Sequence, residues 1–125
     1  MSKKSKKIAL VVAALMLCLG LAVAGPAVAK TFTCTTATCV GTPTPDQITG
    51  SELSQTFKGR GGGDSIVGGG GNDTIFSGKG NDVIDVKDGT NAQNERDVVN
   101  CGKGFDTVNA DSQDTIASNC EVVNT

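Results

Sequence analysis

The chain of 125 residues has no His, no Trp and no Tyr, only four Phe, 17 Gly and five Cys, and a formal charge of −2. Without imidazole, a His-dependent triad, a Cys-His protease, a haem site and any zinc site that needs His are excluded. Scarce aromatics and an acidic balance likewise exclude the stacking platforms and basic footprint of nucleic-acid binding.

The first segment, residues 1–29, opens with Lys3, Lys4, Lys6 and Lys7, continues as an uncharged apolar run from Ile8 to Ala24, and ends in Gly25-Pro26-Ala27-Val28-Ala29. A basic start, an apolar middle and a small-x-small end read as a secretory signal peptide cut after Ala29. Retention as a membrane anchor is the alternative, because the uncharged stretch is long enough to cross a bilayer; Pro26 and the Ala-Val-Ala site weigh against it. Cleavage would leave 96 residues with seven positive charges against thirteen negative, a net −6. The expected product is secreted and free of the membrane, with association at the cell envelope left open. Four Cys remain, Cys34, Cys39, Cys101 and Cys120, an even number that points to two disulfides in an exported small domain, with three pairings formally allowed.

Residues 30–45 are Thr-rich, with Cys34 and Cys39 bracketing Thr-Thr-Ala-Thr, and read as an extended segment ahead of the main domain at 46–125. From Asp46 the chain becomes periodic. Asp46, Gln55, Asp64, Asp73 and Asp82 fall nine residues apart, and after a six-residue insertion Asp97, Asp106 and Asp114 resume the phase. Two residues after each stands an apolar side chain, Ile48, Phe57, Ile66, Ile75, Ile84, Val99, Val108 and Ile116, the expected core. Glycine turns precede the acids and include Gly61, Gly62 and Gly63, then Gly69, Gly70 and Gly71, then Gly78 and Gly80, then Gly102 and Gly104.

Each unit has a physical reading of its own. Glycines reach positive φ without a Cβ clash, so successive carbonyls can face a common point. The closing Asp adds a carboxylate, and a hard divalent cation favours such an all-oxygen shell. The x-apolar-x triplet is a short strand with its middle side chain inward. Two units would make one coil, with ions between turns on the same edge.

The nonapeptide, complete in Gly68-Gly69-Gly70-Gly71-Asn72-Asp73-Thr74-Ile75-Phe76, resembles the Gly-Gly-x-Gly-x-Asp-x-apolar-x unit of the RTX, or haemolysin-type, calcium-binding family. Neighbouring units depart from it once each, at Arg60, Ser77 and Cys101. The resemblance implies an all-β protein, a parallel β-roll or right-handed β-solenoid, that binds Ca2+. On a coil of two units, the foremost metal site falls between Asp64 and Asp82, followed by Asp82 with Asp106 and Asp73 with Asp97. Gln55 makes a site with Asp73 doubtful, and Asp88 and Glu95 in the insertion read as a solvated loop. Cys101 and Cys120, 19 residues apart, fall about one coil apart, where stacked strands at about 4.8 Å suit a disulfide; the expected pairs are Cys101 with Cys120 and Cys34 with Cys39.

No HExxH or Gly-x-Ser-x-Gly motif is present, and no enzyme is expected. The first function expected is calcium binding coupled to folding outside the cell. The alternative is an interaction or adhesion protein whose solenoid face meets a glycan, ice or a protein partner; Thr74, Thr107 and Thr115 recur, but no regular Thr-x-Thr ladder is evident.

Overall fold

The computed structural model describes residues 28–89 and 94–125. The leader read from residues 1–29 therefore lies outside the described residues, apart from Val28 and Ala29. Among the described residues eleven short strands follow one another with no helix: β1 (Lys30–Thr33), β2 (Thr38–Val40), β3 (Asp46–Thr49), β4 (Thr56–Gly61), β5 (Ser65–Val67), β6 (Thr74–Lys79), β7 (Val83–Asp85), β8 (Val98–Lys103), β9 (Thr107–Asn109), β10 (Thr115–Ile116) and β11 (Val122–Asn124). Odd strands form one six-stranded sheet and even strands a five-stranded sheet, and every pairing is parallel. A chain that alternates between two facing parallel sheets in this way is a β-solenoid of about five coils.

The nine-residue phase explains the register. Two units bring each strand back over the one two before it, so Ile48, Ile66, Ile84 and Val108 stack as one inward column and Cys39, Phe57, Ile75, Val99 and Ile116 as the other. All but Ile116 are buried. Ile116 was expected in the core and is only partly buried, because it lies on the two-residue strand β10 at the end of its sheet, with no strand beyond to cover it.

Two features lie beyond the simple period. Residues 30–40 belong within the roll: β1 pairs with β3 and β2 with β4, and Cys39 takes the inward position ahead of Phe57. The first residue of each turn also faces inward, which is why Ser77, Val86, Cys101 and Ala110 are fully buried. Cys34 is bonded to Cys39, and Cys101, from the inward turn position, is bonded to Cys120.

Candidate metal centre

Each phased acid closes a turn and opens a strand, which places its side chain at the edge where one coil meets the next. There the backbone N–H of each phased residue except Asp114 donates to a carboxylate oxygen of the acid one coil further on. Along one edge Asp46 donates to Asp64 Oδ1 (2.9 Å), Asp64 to Asp82 Oδ1 (2.8 Å), Asp82 to Asp106 Oδ1 (2.8 Å) and Asp106 to Glu121 Oε2 (2.8 Å). Along the other, Gln55 donates to Asp73 Oδ1 (2.8 Å), Asp73 to Asp97 Oδ1 (2.6 Å) and Asp97 to Asp114 Oδ1 (3.0 Å). The structure thus gathers Asp64, Asp82 and Asp106 on one edge and Asp73 and Asp97 on the other. Glu121 was missed in the sequence because it is a Glu after a shortened coil, yet Glu121-Val122-Val123 repeats the acid-x-apolar signal, and Val123 pairs with Val108.

The second oxygen of each side chain sorts the turns into two kinds. In the outer turns it is satisfied locally by the N–H of the second turn residue, Thr42 donating to Asp46 Oδ2 and Asp111 to Asp114 Oδ2, and Ser51 donates in the same way to the single side-chain oxygen of Gln55. Gln55 also donates through Nε2 to the carbonyls of Cys34 and Thr36, so it seals the first coil as an amide. In the interior turns no donor reaches it. Oδ2 of Asp64, Asp73, Asp82, Asp97 and Asp106 is buried with no hydrogen-bond partner, and each of these residues is at most 2% exposed. An ionised oxygen so placed is strongly disfavoured unless a cation or proton compensates it.

Backbone handedness separates the outer turns from the glycine turns that close at Asp64, Asp73, Asp82 and Asp106. In these four turns positive φ falls at the second and fourth positions, Arg60 and Gly62, Gly69 and Gly71, Gly78 and Gly80, Gly102 and Gly104, and in the inserted turn it occurs at Gly89. Left-handed backbone thus alternates along the turn, and Gly61 between Arg60 and Gly62 continues β4 and pairs with Lys79. Glycine is needed at other turn positions for close approach, and a Cβ on Gly68 would come within 2.7 Å of Asp73 Oδ2. Arg60 is the exception, an L-residue held at φ 83°. Left-handed backbone costs a side-chain-bearing residue roughly 1–2 kcal/mol, partly offset by the flexibility glycine adds to the unfolded chain. Arg60→Gly is therefore expected to stabilise the calcium-loaded protein by about 1 kcal/mol; a lower midpoint on thermal melting would contradict this.

Electrostatics follow from the same geometry. Burial is the largest influence on Asp64, Asp73 and Asp97 and pushes each carboxyl up to about 7, against the lowering effect of the N–H it accepts. Neighbouring carboxylates push further: Asp82 and Asp46 on Asp64, Asp88 and Glu95 on Asp73, and Asp114, Asp73 and Glu95 on Asp97. Asp106 is raised for the same reasons, burial first. The donor set is all oxygen, in columns of like charge between coils, and this suits a hard divalent cation. Among the described residues no three acidic or thiol side chains converge into a preformed cluster, so a shell between Asp64, Asp82 and Asp106 would draw on turn carbonyls as well.

Residues 49–84 and 58–91 match the family model described as the RTX calcium-binding nonapeptide repeat, in four copies. RTX nonapeptide repeats bind Ca2+. The left-handed positions at Gly102 and Gly104 lie past the matched stretch, so the turn geometry of the repeat continues beyond it. No curated protein and no solved structure matches the chain.

Proposed function

We propose that this chain, a carrier of RTX calcium-binding nonapeptide repeats, is an exported protein whose β-roll completes its folding by taking up Ca2+ between coils. One observation carries this reading. Of the seven buried side-chain oxygens without a partner among the described residues, five are the second oxygens of Asp64, Asp73, Asp82, Asp97 and Asp106, and the other two belong to the inserted turn. Asp64 with Asp82, Asp82 with Asp106, and Asp73 with Asp97 are the pairs assigned to ions. Export is supported by the basic-apolar-small pattern of residues 1–29 and by two disulfides, which persist in oxidising compartments. Calcium outside the cell would then neutralise carboxylates that repel one another in the free chain. The role assigned is structural and metal-binding rather than catalytic.

Isothermal titration of the processed protein with CaCl2 tests it. Two or three ions per chain are expected, and a stoichiometry of zero removes the reading.

A second reading, contact with a glycan, ice or a protein, draws support from the outer face of the five-stranded sheet. Register places Thr38, Thr56, Thr74, Val98 and Thr115 in one column, and beside it Val40, Lys58, Phe76 and Asn100. This Thr column includes Thr38 and Thr56, which the recurrence of Thr74, Thr107 and Thr115 in sequence did not single out; Thr107 lies on the other sheet. The second column is mixed in charge and size, so calcium remains the better supported ligand.

A further inference from the structure

The insertion ahead of Asp97 is the part of the roll for which the repeat gives no chemistry. There the glycine turn is replaced by Lys87-Asp88-Gly89 on one side and Asn94-Glu95-Arg96 on the other. Sequence composition favours a solvated loop, but the structure differs. Asp88 and Glu95 are only partly exposed, and Asp88 Oδ1 and Glu95 Oε2 are shielded from solvent with no hydrogen-bond partner. The backbone is held as well, since the Asp88 N–H donates to Asp111 Oδ2 at 3.0 Å.

The Arg96 N–H donates to Asn72 Oδ1 at 2.7 Å, which brings the residue after Glu95 against the residue before Asp73. Asp97 is 0% and Asp73 1% exposed, each with Oδ2 unpartnered, and the charges of Asp88 and Glu95 both act on Asp73. Between the turn of Gly69 and Gly70 and the inserted turn lies a cavity of about 350 Å³, lined also by Glu52, Asp85 and Lys87. Lys87 is the one cation in that lining, and its side chain is exposed. Among the described residues no three acidic side chains already surround one point, as expected of like charges with no cation between them.

We propose that Asp88 and Glu95 join Asp73 and Asp97 in a second kind of Ca2+ site, built on side-chain carboxylates where the Asp64–Asp82–Asp106 edge relies on turn carbonyls, and that this site fills first. The inference rests on the calcium-binding reading above. Calcium affinity in oxygen cages rises with ligand charge and with fit to a shell of six to eight oxygens. This edge offers four carboxylates with buried, unpartnered oxygens, and the room beside it suits the larger shell of Ca2+ better than the smaller, rigidly octahedral Mg2+.

The experiment is calorimetric titration with CaCl2, in the presence and absence of excess MgCl2, of the wild type, the double variant Asp88→Asn/Glu95→Gln and the opposite-edge variant Asp82→Asn. The double variant should lose the tightest step, its affinity falling by about tenfold or more, while the weaker steps persist. Asp82→Asn should keep the tightest step, and excess Mg2+ should leave that step in place. An unchanged tightest step in the double variant overturns the proposal. So does simultaneous loss of every step, which would make the inserted turn a folding element instead of a site. Circular dichroism of the calcium-loaded double variant separates these outcomes from a failure to fold. A wild type that takes up no calcium brings down the calcium reading itself, whereas a wild type that binds with the tight step intact in the double variant brings down this inference alone.

Discussion

Chelation is expected to lower the melting midpoint of the protein most at pH 8 and least at pH 5. The sign follows from the carboxyls of Asp64, Asp73 and Asp97, which burial pushes up from 3.8 to about 7 in the folded, metal-free chain. Between those two values the folded state binds more protons than the unfolded state, so the metal-free fold loses stability as pH rises. Its contribution from these groups is fully retained only below about pH 4 and is gone above about pH 7. Calcium reverses the slope, because the ion displaces the same protons and binds better as they leave. Each site held at 100 times its Kd adds about 2.7 kcal/mol, so two or three sites supply stabilisation on the scale of a whole small domain. Melting curves followed by circular dichroism at pH 5 and pH 8, with EDTA and with CaCl2, should therefore cross over. A metal-free midpoint that climbs from pH 5 to pH 8 would show that the buried carboxylates are compensated by something other than protons or cations.

The second large effect is expected at Asp82, which stands in the middle of its column. Its Oδ1 accepts the Asp64 N–H, its own N–H donates to Asp106 Oδ1, and its Oδ2 is unpartnered. Two roles can thus be separated by substitution. Asp82→Ala leaves the buried Asp64 N–H without an acceptor, at a cost of about 1–3 kcal/mol with or without calcium. Asp82→Asn keeps an acceptor for that N–H and removes the charge, so the metal-free protein at pH 8 should be at least as stable as wild type while one or more calcium steps disappear. Titration and melting of both variants provide the check. An Asn variant that binds calcium like wild type would leave Asp82 as a purely structural acceptor.

The outline of this molecule was legible because a solenoid turns short-range spacing into tertiary neighbours. Asp64, Asp73 and Asp82 at nine-residue intervals had to alternate between two edges, and Ile66, Ile75 and Ile84 had to alternate between two sheets. Cys101 and Cys120 met for the same reason, their separation being close to one coil. Where the period broke, sequence said less. Glu121 closes the column of Asp106 through its longer side chain and a shortened coil, and Cys39 and Phe32 begin the roll ahead of any recognisable turn. Asp111 stands out of phase with the repeat, yet it caps Asp114 through its N–H and anchors Asp88 through Oδ2.

What the amino-acid order determined by itself is the all-β solenoid, its two inward columns and the acids that line its edges, since each depends only on a repeat of fixed length. What only the tertiary structure decided is which of those acids remain open to a cation. Asp46, Asp64 and Asp82 are equivalent by spacing, but Asp46 accepts the N–H of Thr42 within its own turn, while left-handed Arg60 and Gly78 offer none to Asp64 and Asp82. For these three acids, whether the carboxylate oxygen finds a donor depends on the backbone of the second residue of its turn. Asp88 and Glu95, unremarkable in a polar loop, likewise prove to hold buried oxygens beside Asp73 and Asp97.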